Sequence, residues 1–156
     1  MKKAFVLILA AAMIFGLMAC GSEEAKPAEK VDLTALYETL VPNLTEMMPV
    51  EGSTRMDFLG IDEADCNQVI TVFASDGMIT DEVWLLEAKD QEAFDRLKGL
   101  AENRMKAKGD ETVSYAPEQY KVVEKGVILE NGLYLALLVS PNVDQLKADV
   151  EAAFGK

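Results

Sequence analysis

Residues 68–90 read QVITVFASDGMITDEVWLLEAKD, and their reading decides the fold. Gln68 to Ser75 is rich in β-branched and aromatic side chains, the composition of a strand. Asp76-Gly77 supplies a turn dipeptide, and Asp81 to Ala88 is the returning strand. With a side-chain period of two, Trp84, Leu86 and Ala88 face one side while Val83 and Leu85 face the other. Both sets are largely apolar, so this strand belongs inside the sheet rather than at its edge, with helices on at least one face of that sheet.

The chain then changes period. Asp90 is placed to cap a helix running to about Lys108, with Phe94, Leu97, Ala101 and Met105 as its inner face and Gly109 as its stop. Pro117 opens one further helical turn. Val122 to Glu130 and Leu133 to Ser140 read as two strands around Asn131-Gly132, a hairpin signal. The second of them is almost wholly apolar and is expected to be central. Asn142 and Gln145 form a capping box for a last helix with the stripe Val143, Leu146, Val150 and Phe154.

Upstream, Asp32 caps a first helix carrying Leu33, Leu36, Tyr37 and Leu40. Pro42 ends it, and Leu44, Met47 and Met48 suggest another helical turn closed by Pro49. Gly60 marks a turn, with Asp62 placed to cap the next. The order α-ββα-ββα predicts an α+β fold: an antiparallel sheet of about four strands with helices packed on it. Two hairpins that each run directly into a helix also suggest a degenerate ββα duplication.

The first 30 residues have a different character. Lys2 and Lys3 precede a 14-residue apolar run from Ala4 to Leu17, and Leu17-Met18-Ala19-Cys20 follows. A basic start, a short apolar core and small residues at the cut make a secretory signal. The run is too short for the roughly 20 residues of a bilayer-spanning helix. Cysteine directly after Ala19 resembles a bacterial lipobox. That resemblance implies cleavage between Ala19 and Cys20 and a diacylglyceryl thioether on Cys20, since two acyl chains hold where one does not. Three segments follow: a signal peptide at 1–19, a lipidated flexible tether at 20–30, and one globular domain at 31–156. The tether, GSEEAKPAEK, is small, charged and without apolar period, and reaches about 35 Å at most. The expected address is the extracytoplasmic face of the cell membrane, lipid-anchored.

Composition excludes much of the usual chemistry. Twenty-seven acidic against 15 basic side chains give a net charge of −12, and removal of Lys2 and Lys3 makes the remainder more acidic still. Such a chain gains nothing from phosphate backbones, so nucleic acid is not an expected partner. With no histidine, Ser-His-Asp and Cys-His nucleophilic sites and His-ligated zinc are unavailable. Cys66, once Cys20 is lipidated, has no intramolecular partner and reads as a small, partly buried apolar residue. Asp62, Glu63 and Asp65 invite a calcium reading, but they lack the alternate-position register of a calcium loop and fit a solvated capping turn better. Tyr120, in Pro117-Glu118-Gln119-Tyr120, either lines a cleft with Tyr115 and Tyr134 or packs its short helix on the sheet, the second being the commoner use.

The whole pattern resembles the small Gram-positive lipoproteins grouped only as a domain of unknown function. The residues that carry the likeness are the lipobox, Asp32-Leu33, Gly60-Ile61-Asp62, Asp81-Glu82 through Glu87-Ala88-Lys89-Asp90, Pro117 to Tyr120, and Val139-Ser140. Gly126 stands where that pattern has alanine, and Trp84 where it has a smaller apolar residue; both read as packing variation. The resemblance implies a fold and an address but no activity. The leading expectation is a non-enzymatic module that binds a protein or cell-envelope partner, with no cofactor and no metal. A small-ligand or cation binder is the alternative, its candidate binding surface Asp62, Asp65 and Tyr120. An enzyme using carboxylates alone ranks third.

Overall fold

The structure is a computed structural model and describes residues 30–156. The signal segment, Ala19, Cys20 and nearly all of the tether lie outside the described residues. Five strands form one antiparallel sheet: β1 (Met47–Pro49), β2 (Cys66–Ala74), β3 (Glu82–Ala88), β4 (Val127–Asn131) and β5 (Tyr134–Val139). Their order is β1-β2-β3-β5-β4. Five helices accompany them: α1 (Leu33–Leu40), α2 (Gly52–Leu59), α3 (Gln91–Tyr115), α4 (Pro117–Glu124) and α5 (Val143–Ala153). The α+β class is as the sequence implies, with one strand more.

Strands β3 and β5, expected inside the sheet, are its central pair, and both of their faces are buried. Val83, Leu85, Ala136 and Leu138 face a core closed by α1 and α5 through Leu33, Leu36, Leu40, Leu146 and Val150. On the other face, Trp84, Leu86, Leu135 and Leu137 meet Phe94, Leu97 and Ala101 of α3. Each buried Leu or Val of this kind contributes about 1.5–3 kcal/mol relative to exposure. Because α3 and α5 cover opposite faces, the rotation that would exchange β3 and β5 does not exchange the helices. The geometry therefore gives no support to a ββα duplication.

Several boundaries differ from the sequence reading, each for a local reason. Leu44, Met47 and Met48 do not make a helical turn: Met48 lies opposite Phe73 in the ladder, and Met47–Pro49 is the sheet's outer strand. Proline fits there because an edge strand needs no inward N–H from it. Helix α3 passes straight through Gly109 and ends at Tyr115, because Ala116 precedes Pro117 and is pushed to φ −144°, ψ 71°. Val122 and Val123 belong to α4, not to a strand; Val123 is buried against the sheet, and that contact outweighs its β preference. Asn142 does not cap α5 with its side chain, nor does Gln145 reach back to it. The Asn142 amide donates to the Asn43 carbonyl at 2.8 Å, and the Gln145 amide to Asp149. The Asp32, Asp62 and Asp90 caps form as expected. Gly60, at φ +72°, closes α2 in the left-handed conformation that other residues avoid.

The chain is pinned where the domain begins. Gln68 on β2 accepts from Leu33 N at 3.0 Å and donates to the Val31 carbonyl at 2.8 Å, while the Tyr134 hydroxyl accepts from Val31 N at 3.1 Å. The N-terminal segment therefore leaves from the end of the sheet where β2 and β5 start. Gln68→Ala removes both backbone contacts and should cost about 1–3 kcal/mol. It should also speed amide exchange at Leu33 ahead of the β3 and β5 amides, as measured by hydrogen exchange.

Candidate functional site

The opposite end of the sheet concentrates the polar residues that the fold buries. Glu82 and Glu87 stand toward opposite ends of β3, about 17 Å apart at the rise of an antiparallel strand. Glu82 is fully buried, because the period of β3 places it on the same face as Trp84 and Leu86. Its carboxylate accepts from Trp84 Nε1 at 2.7 Å and from Arg104, whose Nε and Nη2 approach at 3.0 and 2.9 Å. Lys108 Nζ lies 2.9 Å from the same group. The cations come from the α3 stripe itself: Leu97 and Ala101 are followed one and two turns later by Arg104 and Lys108. Arg104 also lies over the Phe73 ring at 5.3 Å, and Lys108 at 5.9 Å. Phe58 of α2 tilts against the same ring, centroids 6.4 Å apart.

Asp81, next in the chain and on the other face, is also buried. One carboxylate oxygen accepts from the Thr45 and Ser140 hydroxyls at 3.3 Å each, and the other has no partner among the described residues. Burial raises its pKa, against the hydrogen bonds from Thr45 and Ser140 and the charge of Lys108. Just upstream, Thr80 donates through both N and Oγ1 to Gln119 of α4. Asp81-Glu82, Gln119 and Ser140, all within the motifs the sequence singles out, thus meet at one end of the sheet.

The residues marked from sequence as a binding surface are not brought together. Asp62 caps its own turn through Ala64 N at 2.9 Å. Asp65 is gripped by Arg96 at 2.7 Å and Lys89 at 2.9 Å, which hold its carboxyl well below the usual range. Glu63, between them, pairs with the buried Arg55. The acids of this turn are therefore occupied with fixing α2 and α3. Tyr120 lies near Gly109, about 20 Å further along α3 than Arg96. There it lines an open groove of about 340 Å³ between α3 and α4, with Met105 and Val113. Tyr134 is in the opposite core against Phe154, and Tyr115 is exposed, so the three tyrosines form no common cleft. The Cys66 thiol is half-buried, and burial, with the charge of Asp65, pushes its pKa up to about 11. A thiol so held is a poor nucleophile.

Sequence reading passed over Glu82, Arg104 and Lys108. A signal was present: an acid within a strand that is apolar on both faces needs buried cations, and Arg104 and Lys108 continue the Leu97-Ala101 stripe. Ending the helix near Lys108 and Gly109 put Lys108 at a helix end rather than within the buried stripe. The Gly126 departure also gains a reason. A Cβ there would lie 2.5 Å from Met105 Cε and 3.0 Å from the Val123 carbonyl, so Met105 fills the space.

Fold and site together define a small α+β domain on a five-stranded antiparallel sheet, with a cation-clamped carboxylate at the end opposite its N-terminal entry. The chain belongs to the family described as a domain of unknown function (DUF4358), whose pattern matches residues 41–140. No curated protein and no solved structure matches it. Helices α1 and α5 fall outside the matched span, yet they close one entire face of the sheet.

Two outcomes test the buried acids. Glu82→Gln keeps the shape and an acceptor for Trp84 but leaves Arg104 and Lys108 uncompensated; chemical denaturation should show a loss of about 3 kcal/mol. Asp81 has the opposite sense. A raised carboxyl pKa means its contribution is fully present below the unfolded value of about 4 and is lost as pH rises through the folded value. Asp81→Asn should therefore raise Tm more at pH 7 than at pH 3, and an equal shift at both would contradict the assignment.

Proposed function

We propose that this protein is a lipid-anchored extracytoplasmic module, of the Gram-positive lipoprotein kind, that binds a protein partner without catalysing a reaction. The observation that carries the proposal is the polarity of the domain. Its N-terminal segment enters at one end of the sheet, pinned by Gln68 and Tyr134. Several exposed large apolar side chains gather toward the other. Val41 follows α1 to that end, Met48 lies opposite Phe73, Met78 sits in the loop between β2 and β3, and Phe58 packs on Phe73. Val113 and Tyr115 lie on α3 beyond Lys108.

An anchor at one end and exposed apolar surface at the other suit a module presented outward from a membrane. The anchor is assigned to Cys20, cut after Ala19, on the pattern Leu17-Met18-Ala19-Cys20 behind its short apolar run; no helix among the described residues is long and apolar enough to cross a bilayer. The buried carboxylates fit structural work better than turnover, since Glu82 is saturated by fixed donors. A second reading, small-ligand binding, is favoured by the groove beside Tyr120. A ligand at a hundred times its Kd would stabilise the fold by about 2.7 kcal/mol, which a thermal-shift panel detects.

Metabolic labelling with an alkyne fatty acid should mark the wild type and not Cys20→Ala. A benzophenone amino acid in place of Phe58 should yield a protein adduct in intact cells, and one in place of Lys89, at the entry end, should not. Labelling that survives in Cys20→Ala would remove the anchor assignment, and adducts from Lys89 alone would reverse the orientation.

A further inference from the structure

We infer that the partner surface received at the far end of the sheet is a basic polypeptide segment carrying apolar side chains, an inference that rests on the outward-facing module described above. Three large apolar residues border the half-buried Phe73 or the loop beside it: Met48 is 53% exposed, Phe58 68% and Met78 79%. Acids are interleaved with them. Glu46, exposed, lies in the bend just before β1, two residues before Met48, and its carbonyl accepts from Ser75 N, which sets it beside the β2 end of the loop. Asp57 is the immediate neighbour of Phe58. Asp76 shapes the loop that presents Met78, accepting from Met78 N at 2.8 Å.

None of these three acids forms an ion pair among the described residues, in contrast to Asp65, held by Arg96 and Lys89, and Glu130, held by Lys98; on this acidic chain other surface acids are likewise unmatched. The cations bordering the patch cannot neutralise them, because Arg104 and Lys108 are bound to Glu82. The patch therefore offers apolar area and unmatched negative charge side by side. Apolar contact supplies affinity by removing that area from water. The acids select the sign of what docks: lysine or arginine flanking an apolar side chain satisfies both features, while an acidic segment meets repulsion from the patch and from a chain of net charge −12.

The test uses the full-length protein in the cells that make it, with the benzophenone amino acid in place of Phe58 and the adduct identified by mass spectrometry. The crosslinked segment of the partner should carry an excess of Lys and Arg. Adding Glu46→Lys and Asp57→Lys, which leave the Asp76–Met78 loop contact intact, should lower the adduct yield about tenfold, while Glu151→Lys, near the opposite end of the domain, should leave it unchanged. All three positions tolerate the change, which an unaltered thermal melt of each purified variant checks. A yield that stays constant or rises on charge reversal, or a crosslinked segment rich in Asp and Glu, overturns the inference while leaving the outward-facing module standing. No adduct at Phe58 overturns both.

Discussion

The structure depends on β3 and β5 being buried on both faces. A strand in that position cannot be finished by one helix layer, so the chain supplies two. Helices α1 and α5 close one side and α3 the other. The matched family span, 41–140, contains both central strands but only one of these layers. Without α1 and α5, Val83, Leu85 and Leu138 would face water, at about 1.5–3 kcal/mol each. The segments that flank the family pattern are thus structural parts of the domain.

The same constraint explains the buried charges. β3 begins with Asp81-Glu82, and a strand covered on both sides buries each acid on a different face. Glu82 is satisfied because α3 continues past its apolar stripe and delivers Arg104 and Lys108. Asp81 is satisfied on one oxygen only. The length of α3 beyond Lys108 answers a different demand: a helix that stopped at Gly109 would still carry both cations, but α4 would not then be placed to bury Val123 in the core. Ion pairs of this kind add little net stability over an apolar substitute, but they punish misregistration severely, because a one-residue slip of β3 would turn Glu82 to the opposite covered face, away from Arg104 and Lys108.

Polarity along the strands links the fold to the proposed role. Gln68 and Tyr134 fix the entry point at one end, while the loops and helix ends at the other carry Met48, Phe58 and Met78 beside unpaired acids. Nothing in that arrangement requires a reactive group. It requires that the chain enter the domain at a fixed point, which the hydrogen bonds at Val31 and Leu33 provide.

Much of this was legible from local pattern. The both-sided strand at Val83–Leu86, the hairpin at Asn131-Gly132, the Asp90 cap and the stripes of α1 and α5 were all readable, because periodicity and capping are properties of neighbouring residues. The sequence likewise determined the absence of histidine chemistry, since composition needs no fold. What only the tertiary structure decided involves residues distant in the chain. Met47–Pro49 became a strand by pairing with Phe73, and Val123 stayed helical because the sheet buries it. Asp65 was withdrawn from any ligand role by Arg96 and Lys89, and the Glu82 clamp draws on Trp84, Arg104 and Lys108. Local preference is worth a few tenths of a kcal/mol per residue, and a buried contact or a desolvated charge is worth several times more, so contacts decided where the two disagreed.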